Sequence, residues 1–391
     1  MKFLKKYILL IFLIENLLAQ SPFGGSISWI FYLMLVVGAY LMMASGIFKP
    51  ETFRKCRPLY LLGAVYIVYQ FTLGFNTLSA STLIYLIAKI TTFVIIVVSV
   101  VDDWDFYARK VPFYLSILVF IVLLFGLNNS DTLNTTERMQ LGFGNANSTS
   151  SLSAFCLATI LFFWNRKHAI LYTIIALVAV YSMLAGGGRN AIMMLAIMLL
   201  IWTGLSVKRI FIAVSLIGLL MLVINVFSLN LAGVERLEAT ISGDAGTNRD
   251  IERLATQMMI DARPYTGWGF GATNVGAAAD LSELGSHNGY LETIKFMGYP
   301  FAVLYFLILF CSVIPMLSYY RSRDMAIRYH LAIVLSHFAG ALFEGLYVGV
   351  HEFSTNVIFY SLAVLTTYRY NVETQSYSGV QPLISKYDKN N

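Results

Sequence analysis

The sequence predicts an all-α, polytopic membrane protein with about 12 transmembrane helices, on three observations. Of its 391 residues 58% are hydrophobic and only 12% charged, whereas about a quarter of a soluble domain is charged. Apolar runs recur from end to end, and they are too long and continuous for barrel strands, which alternate over about ten residues. Finally, the basic residues cluster in every second segment between the runs, as in cytoplasmic loops. The chain therefore reads as a single integral membrane domain, 1–391, and its net charge of +6 does not point to nucleic acid.

The expected spans are 7–20, 27–48, 59–75, 79–101, 112–127, 149–165, 169–185, 190–205, 209–229, 290–317, 329–350 and 353–368. The first, in "MKFLKKYILLIFLIENLLAQ", has the basic start and short apolar stretch of a signal peptide. Glu15 and Asn16 interrupt it and a second span follows at once, which favours an uncleaved helix over a cleaved leader. With the N-terminus inside, Lys2, Lys5, Lys6, Lys49, Arg54, Lys55, Arg57, Arg109 and Lys110 fall on the inner side. So do Arg166, Lys167, Lys208, Arg209, Arg321, Arg323, Arg328, Arg369, Lys386 and Lys389. Lys89 and Lys295 fall within spans. The outer segments keep Arg138, Arg189, Arg236, Arg249, Arg253 and Arg263, and no lysine. Both termini are then cytoplasmic, and 370–391 reads as a disordered cytoplasmic tail. Cys56, Cys156 and Cys311 all fall in inner or apolar segments, so no disulfide framework is implied.

An outer face that holds arginine but no lysine favours planar, bidentate binding of phosphate or carboxylate. Three outer segments carry it. "TTERMQLGFGNANSTS" (135–150) is a turn-forming loop with Arg138, and taken alone it reads as a solvated loop. "LAGGGRNAIMML" (184–195) is a tight return in which three glycines let backbone amides approach a ligand. Arg189 opens the next helix there, where charge and helix N-terminus face an anion together. A snorkelling arginine beside a flexible turn is the bland alternative.

The third segment, 230–289, is long for a loop, and it contains "TNRDIERLATQMMIDARPYTGWGFG". Thr247 and Asp250 form a capping-box pattern, Ile251, Leu254, Ala255 and Met258 recur at helical spacing, and Pro264 ends the segment. An amphipathic helix, lying on the membrane or against the bundle, is the expectation between spans nine and ten. Arg249 and Arg253 share one face of it; for Arg253 a solvated face is an equal reading. His287 follows, with Asn288 beside it, at the outer start of span ten. A neutral histidine there can take a proton from a hydroxyl.

His337 and Glu344 lie seven apart in span eleven, on one face, as a proton path or a structural pair. "HEFSTN" (351–356) lacks the second histidine of a zinc helix, and "GGGRN" has the wrong spacing for a nucleotide loop. Neither a metal nor a cofactor is expected.

In order and on one face, "GFGNAN", "GGGRNAIMML", "NRDIERLATQMMIDARPYTGWGFG" and "HNGYLETIKFMG" resemble the bacterial O-antigen ligase and polymerase superfamily over roughly residues 130–300. Ala146 departs from the proline usual in that pattern, and Arg253 from a common tryptophan. The resemblance implies a metal-independent glycosyltransferase in the bacterial inner membrane, with its active site and the 230–289 loop facing the periplasm. It also implies an undecaprenyl-diphosphate-linked oligosaccharide as substrate. Carried onto matching positions, His287 is the base that activates the acceptor hydroxyl, and Arg189 and Arg249 hold the donor diphosphate. Arg138 and Asn147 line the same site, and Arg253 and Asn288 complete the substrate-binding set. A polymerase that extends O-antigen is the first expectation, with a chain-length regulator and a flippase as protein partners. A ligase that transfers glycan to lipid A-core is the close alternative. A transporter or flippase using His337 and Glu344 is the remote one.

Overall fold

The computed structural model describes residues 2–44, 46–129, 138–204, 206–212, 215, 249–270 and 287–377. Among them every regular element is helical. The helices are α1 (Lys2–Ala19), α2 (Gly24–Ala44), α3 (Pro50–Lys55), α4 (Arg57–Phe71), α5 (Ala80–Asp102), α6 (Val111–Asn128) and α7 (Ala146–Phe162). They continue as α8 (Ala169–Gly186), α9 (Arg189–Thr203), α10 (Arg249–Ala262), α11 (Gly289–Val313), α12 (Met325–Gly340) and α13 (Phe353–Tyr377).

Four helical stretches are long and apolar enough to cross a membrane: Ala80–Asp102, Phe106–Asn128, Arg166–Gly186 and Gly289–Arg321. Shorter apolar helices cover Trp29–Met43, Ala146–Phe162 and Arg189–Thr203. A helix occupies each expected span except the ninth, 209–229, most of which lies outside the described residues, as does the tail from 378 onward. α13 runs on to Tyr377, into the stretch read as a tail.

Local chemistry sets the boundaries. Ser79, Asn145 and Asp324 cap α5, α7 and α12 by accepting backbone N–H bonds from the first turn. Left-handed Gly187 and Gly204 end α8 and α9. The core lies where α5, α12 and α13 meet α1, α7 and α9; Val357 to Leu365 of α13 are almost wholly enclosed. Trp29, Tyr32, Val36, Ile170, Leu177, Val303 and Leu307, by contrast, are large, apolar and exposed. An apolar exterior around a packed core fits a protein whose solvent is lipid. The basic loops gather at one end of the bundle, where Lys6 pairs with Asp103 at 2.8 Å and Arg109 with Asp324 at 2.8 Å.

Two spans are not continuous helices. α12 stops at Gly340, and residues 341–352 turn irregularly before α13 begins. Exposed carbonyls in such a segment need partners inside the protein. Lys89, wholly buried in α5, donates to Tyr347 O at 3.0 Å and Gly349 O at 2.9 Å. Tyr85 donates to Val348 O, Asn288 Nδ2 to Leu342 O and Asn356 Nδ2 to Val350 O.

α11 is broken at Gly298, whose φ is +70°, two residues before Pro300. Proline lacks the N–H that would reach Phe296 O. That carbonyl accepts instead from Gly269 N at 3.0 Å and from the Tyr69 hydroxyl, while Trp268 N donates to Lys295 O at 2.9 Å. The "GWGF" stretch therefore patches the broken helix.

Candidate functional site: a histidine between two glutamates

The first two outer segments join at the N-terminal ends of α7 and α9. Arg138 Nε donates to Gly186 O at 3.0 Å, and Arg138 Nη2 donates to Asn147 Oδ1. Met139 N donates to Ala185 O at 3.0 Å. The glycines serve this junction differently from the expectation that they present amides to a ligand. Gly188 N donates to Ser150 Oγ at 2.9 Å, and Gly187 N to Leu184 O at 3.1 Å. A Cβ on Gly186 would stand 2.4 Å from Ser150 Oγ, so glycine is required there for α7 and α8 to touch. Arg189 is the first residue of α9 and half-buried, as the sequence placed it.

The third segment forms the expected helix, α10, closing close to Pro264. Its capping pair falls outside: Thr247 and the side chains of Arg249 and Asp250 are not among the described parts. α10 packs against α11 through Ala255, Met259 and Ile260, with Trp268 Nε1 donating to Met259 O at 2.8 Å. The Arg263 guanidinium stacks 4.1 Å from the Trp268 ring. Of the residues at helical spacing only Ala255 packs against the bundle; Ile251, Leu254 and Met258 are exposed, as the membrane-facing alternative allows. Arg253 is exposed too. The face that packs turns Glu252 inward.

Glu252 and Glu344 flank His287. Its Nε2 lies 3.8 Å from Glu252 Oε2 and its Nδ1 lies 3.6 Å from Glu344 Oε2. His287 takes a left-handed backbone, φ +45°, which is uncommon for a residue with a side chain. The following residues hold it there. Asn288 Oδ1 accepts from Tyr290 N and Leu291 N at 3.0 Å each, capping α11, while Gly289 N donates to Ala341 O at 2.7 Å. A Cβ on Gly289 would meet Leu346 O at 2.4 Å. Asn288 itself is buried, its amide holding α11 to the irregular segment.

Beside this pair lies a cavity of about 340 Å³, bordered by Asn145, Asn147, Ser148, Ser151, Asn190, His337, Glu344, His351 and Glu352. The Oδ1 of Asn190, a residue only 7% exposed, has no hydrogen-bond partner among the described residues. His351 Nε2 is 2.6 Å from Glu15 Oε1 and its ring stacks on Phe31 at 4.2 Å. Burial pushes the Glu352 carboxyl above the usual carboxylate range; the Thr355 hydroxyl and Lys89 oppose that, and Glu292 and Glu344 reinforce it. The lining is thus mixed: amide, hydroxyl, imidazole and carboxylate groups stand among Leu152, Phe155, Met194, Leu346, Phe353 and Val357, and its polar groups suit hydroxyl-rich ligands.

His337 and Glu344 do not share a helical face, because α12 ends between them, yet both border the cavity. His337 Nδ1 lies 2.7 Å from Ile333 O in its own helix. Spacing within the chain could not reveal Glu252, Asn190, His351 or Glu352 as neighbours. A signal existed only for Glu15, an ionisable residue inside an apolar run. Among the described residues no group of three or more His, Cys, Asp or Glu is placed to hold a metal ion. No protein-family model matches the chain, and no curated protein matches it.

Proposed function

We propose that the chain is a membrane glycosyltransferase that extends a surface polysaccharide from an undecaprenyl-diphosphate-linked donor at the periplasmic face of the inner membrane. One observation carries the reading: His287 stands between Glu252 and Glu344, next to the cavity that brings Asn147 and Asn190 together. In the proposed reaction an acceptor hydroxyl gives its proton to His287 while its oxygen attacks the anomeric carbon of the donor. The bond from that carbon to the phosphate oxygen breaks, and the lipid diphosphate leaves with its electron pair. The proton would leave an imidazolium between two carboxylates, an arrangement that stabilises developing positive charge. Arg189 and Arg249 are proposed to hold the leaving diphosphate, as fixed charges placed in advance. Arg138 is proposed to act at one remove, by fixing Asn147 and the glycine turn.

The polymerase and ligase reactions share this chemistry and differ only in the acceptor. The test is a surface-polysaccharide gel from a strain carrying His287→Ala, with membrane insertion checked in parallel. Lost extension with normal insertion is expected; an unchanged polysaccharide ladder overturns the enzyme reading. Glu344→Gln does not by itself separate this reading from a transporter, because Glu344 lies against His287. In the deletion strain, a single repeat unit on core indicates a polymerase. Bare core with long lipid-linked chains indicates a ligase.

A further inference from the structure

The far end of α11 carries a second polar site. It lies beyond the break at Gly298, at the opposite end of α11 from Gly289. There the end of α11 and the end of α13 close against α3 and the start of α4, leaving two cavities of about 510 and 750 Å³. Both are bordered by Arg54 and Tyr370, so they form one groove. Arg57 and Arg369 border the smaller cavity and Lys49 the larger.

The charges in the groove do not cancel. Its two carboxylates are engaged locally: Glu51 pairs with Lys55 at 2.7 Å and Glu373 with Arg369 at 2.7 Å. Neither guanidinium of Arg54 or Arg57 makes an ion pair or hydrogen bond with a described residue, and both side chains are exposed. The opposite wall is apolar, formed by Leu61, Leu307 and Ile308. It continues along α11 as an exposed strip through Leu304 and Phe310, and on to Ile314 just past the helix end. A cationic pocket that opens onto an apolar helix face complements a molecule with an anionic head and hydrocarbon tails.

We infer that this groove binds an anionic phospholipid, with its phosphate on Arg54 and Arg57 and its acyl chains along α11. Two planar forks bordering one cavity suit a phosphate's oxygens, and basic pockets between membrane helices are a general means of holding such headgroups. A soluble phosphate would use the same arginines but leave the apolar wall without a role. The inference is independent of the glycosyltransferase reading, since it uses none of its residues.

The test uses the full-length protein, purified and placed in nanodiscs containing equal phosphatidylcholine and phosphatidylglycerol. Co-purifying lipid is then counted by native mass spectrometry after delipidation. Preferential retention of phosphatidylglycerol is expected, with a raised melting temperature when it is added back and none when inorganic phosphate is added. The double variant Arg54→Gln/Arg57→Gln should weaken retention roughly tenfold or more. Lys167→Gln, an exposed basic residue elsewhere at the same end of the bundle, should leave it unchanged. Equal retention of the two lipids by the wild type overturns the proposal, whether or not the double variant folds. Protection by inorganic phosphate alone overturns the lipid assignment in favour of a soluble anion. Unchanged retention in a folded double variant overturns the site.

Discussion

The Nδ1 atom of His287 lies 3.6 Å from Glu344 Oε2, so the start of α11 and the irregular stretch after α12 meet at one imidazole. If this pair holds the base in its working orientation, Glu344→Gln should lower turnover about 10- to 100-fold, less than the 10²- to 10⁴-fold cost of His287→Ala. Glu252→Gln should resemble Glu344→Gln. Transfer from a radiolabelled lipid-linked donor by protein in proteoliposomes measures all three. Full activity in either glutamine variant would show that its carboxylate does not serve the histidine.

Gly267 has φ +64°, and a Cβ there would lie 2.3 Å from Phe296 O. The contact belongs to the patch over the break in α11, where a shift would strip partners from buried carbonyls. Gly267→Ala is expected to destabilise by about 1–3 kcal/mol, through backbone strain and lost hydrogen bonds. Thermal melting in detergent reads this directly. A melting temperature equal to wild type would mean that the patch adapts at no cost.

Lys89 ties α5 to the irregular segment through the Tyr347 and Gly349 carbonyls. Lys89→Met preserves most of the side-chain bulk but leaves both carbonyls without this donor. A loss of about 2–5 kcal/mol is expected, with activity falling too because the segment carries Glu344. Urea or heat denaturation measures the first effect and the transfer assay the second. Lost activity at unchanged stability would instead place Lys89 in the chemistry.

The Glu352 carboxyl, lifted by burial and by Glu292 and Glu344, binds its proton more tightly folded than unfolded. Its stabilising contribution is therefore present below the ordinary carboxylate range and lost as pH rises through the lifted value. As pH rises above the ordinary carboxylate range, the melting temperature of wild type should fall relative to that of Glu352→Gln. Parallel pH profiles for the two proteins would remove Glu352 as the source.

Hydropathy made the helical architecture legible, because a backbone in lipid must satisfy its own hydrogen bonds and long apolar stretches do so as helices. The amphipathic helix at Arg249–Ala262 was legible for a related reason: periodicity and a following proline are local signals. Its packed face was not, since Ile251, Leu254 and Met258 are as apolar as the residues that α11 covers. Neither was the end of α12 at Gly340, where an apolar sequence continues while the chain turns. That turn is held by donors from distant parts of the sequence, Lys89, Tyr85 and Asn288 among them, and by Asn356 close by.

The same division runs through the site. Sequence by itself determined the helical class, the separation of basic loops from arginine-only segments, and the singling out of His287. Tertiary structure decided that two glutamates flank that histidine, that Arg138 braces a turn, and that Asn147 and Asn190 face one cavity. Burial and hydrogen bonding between residues far apart in the chain depend on how helices pack, and no local pattern encodes that packing.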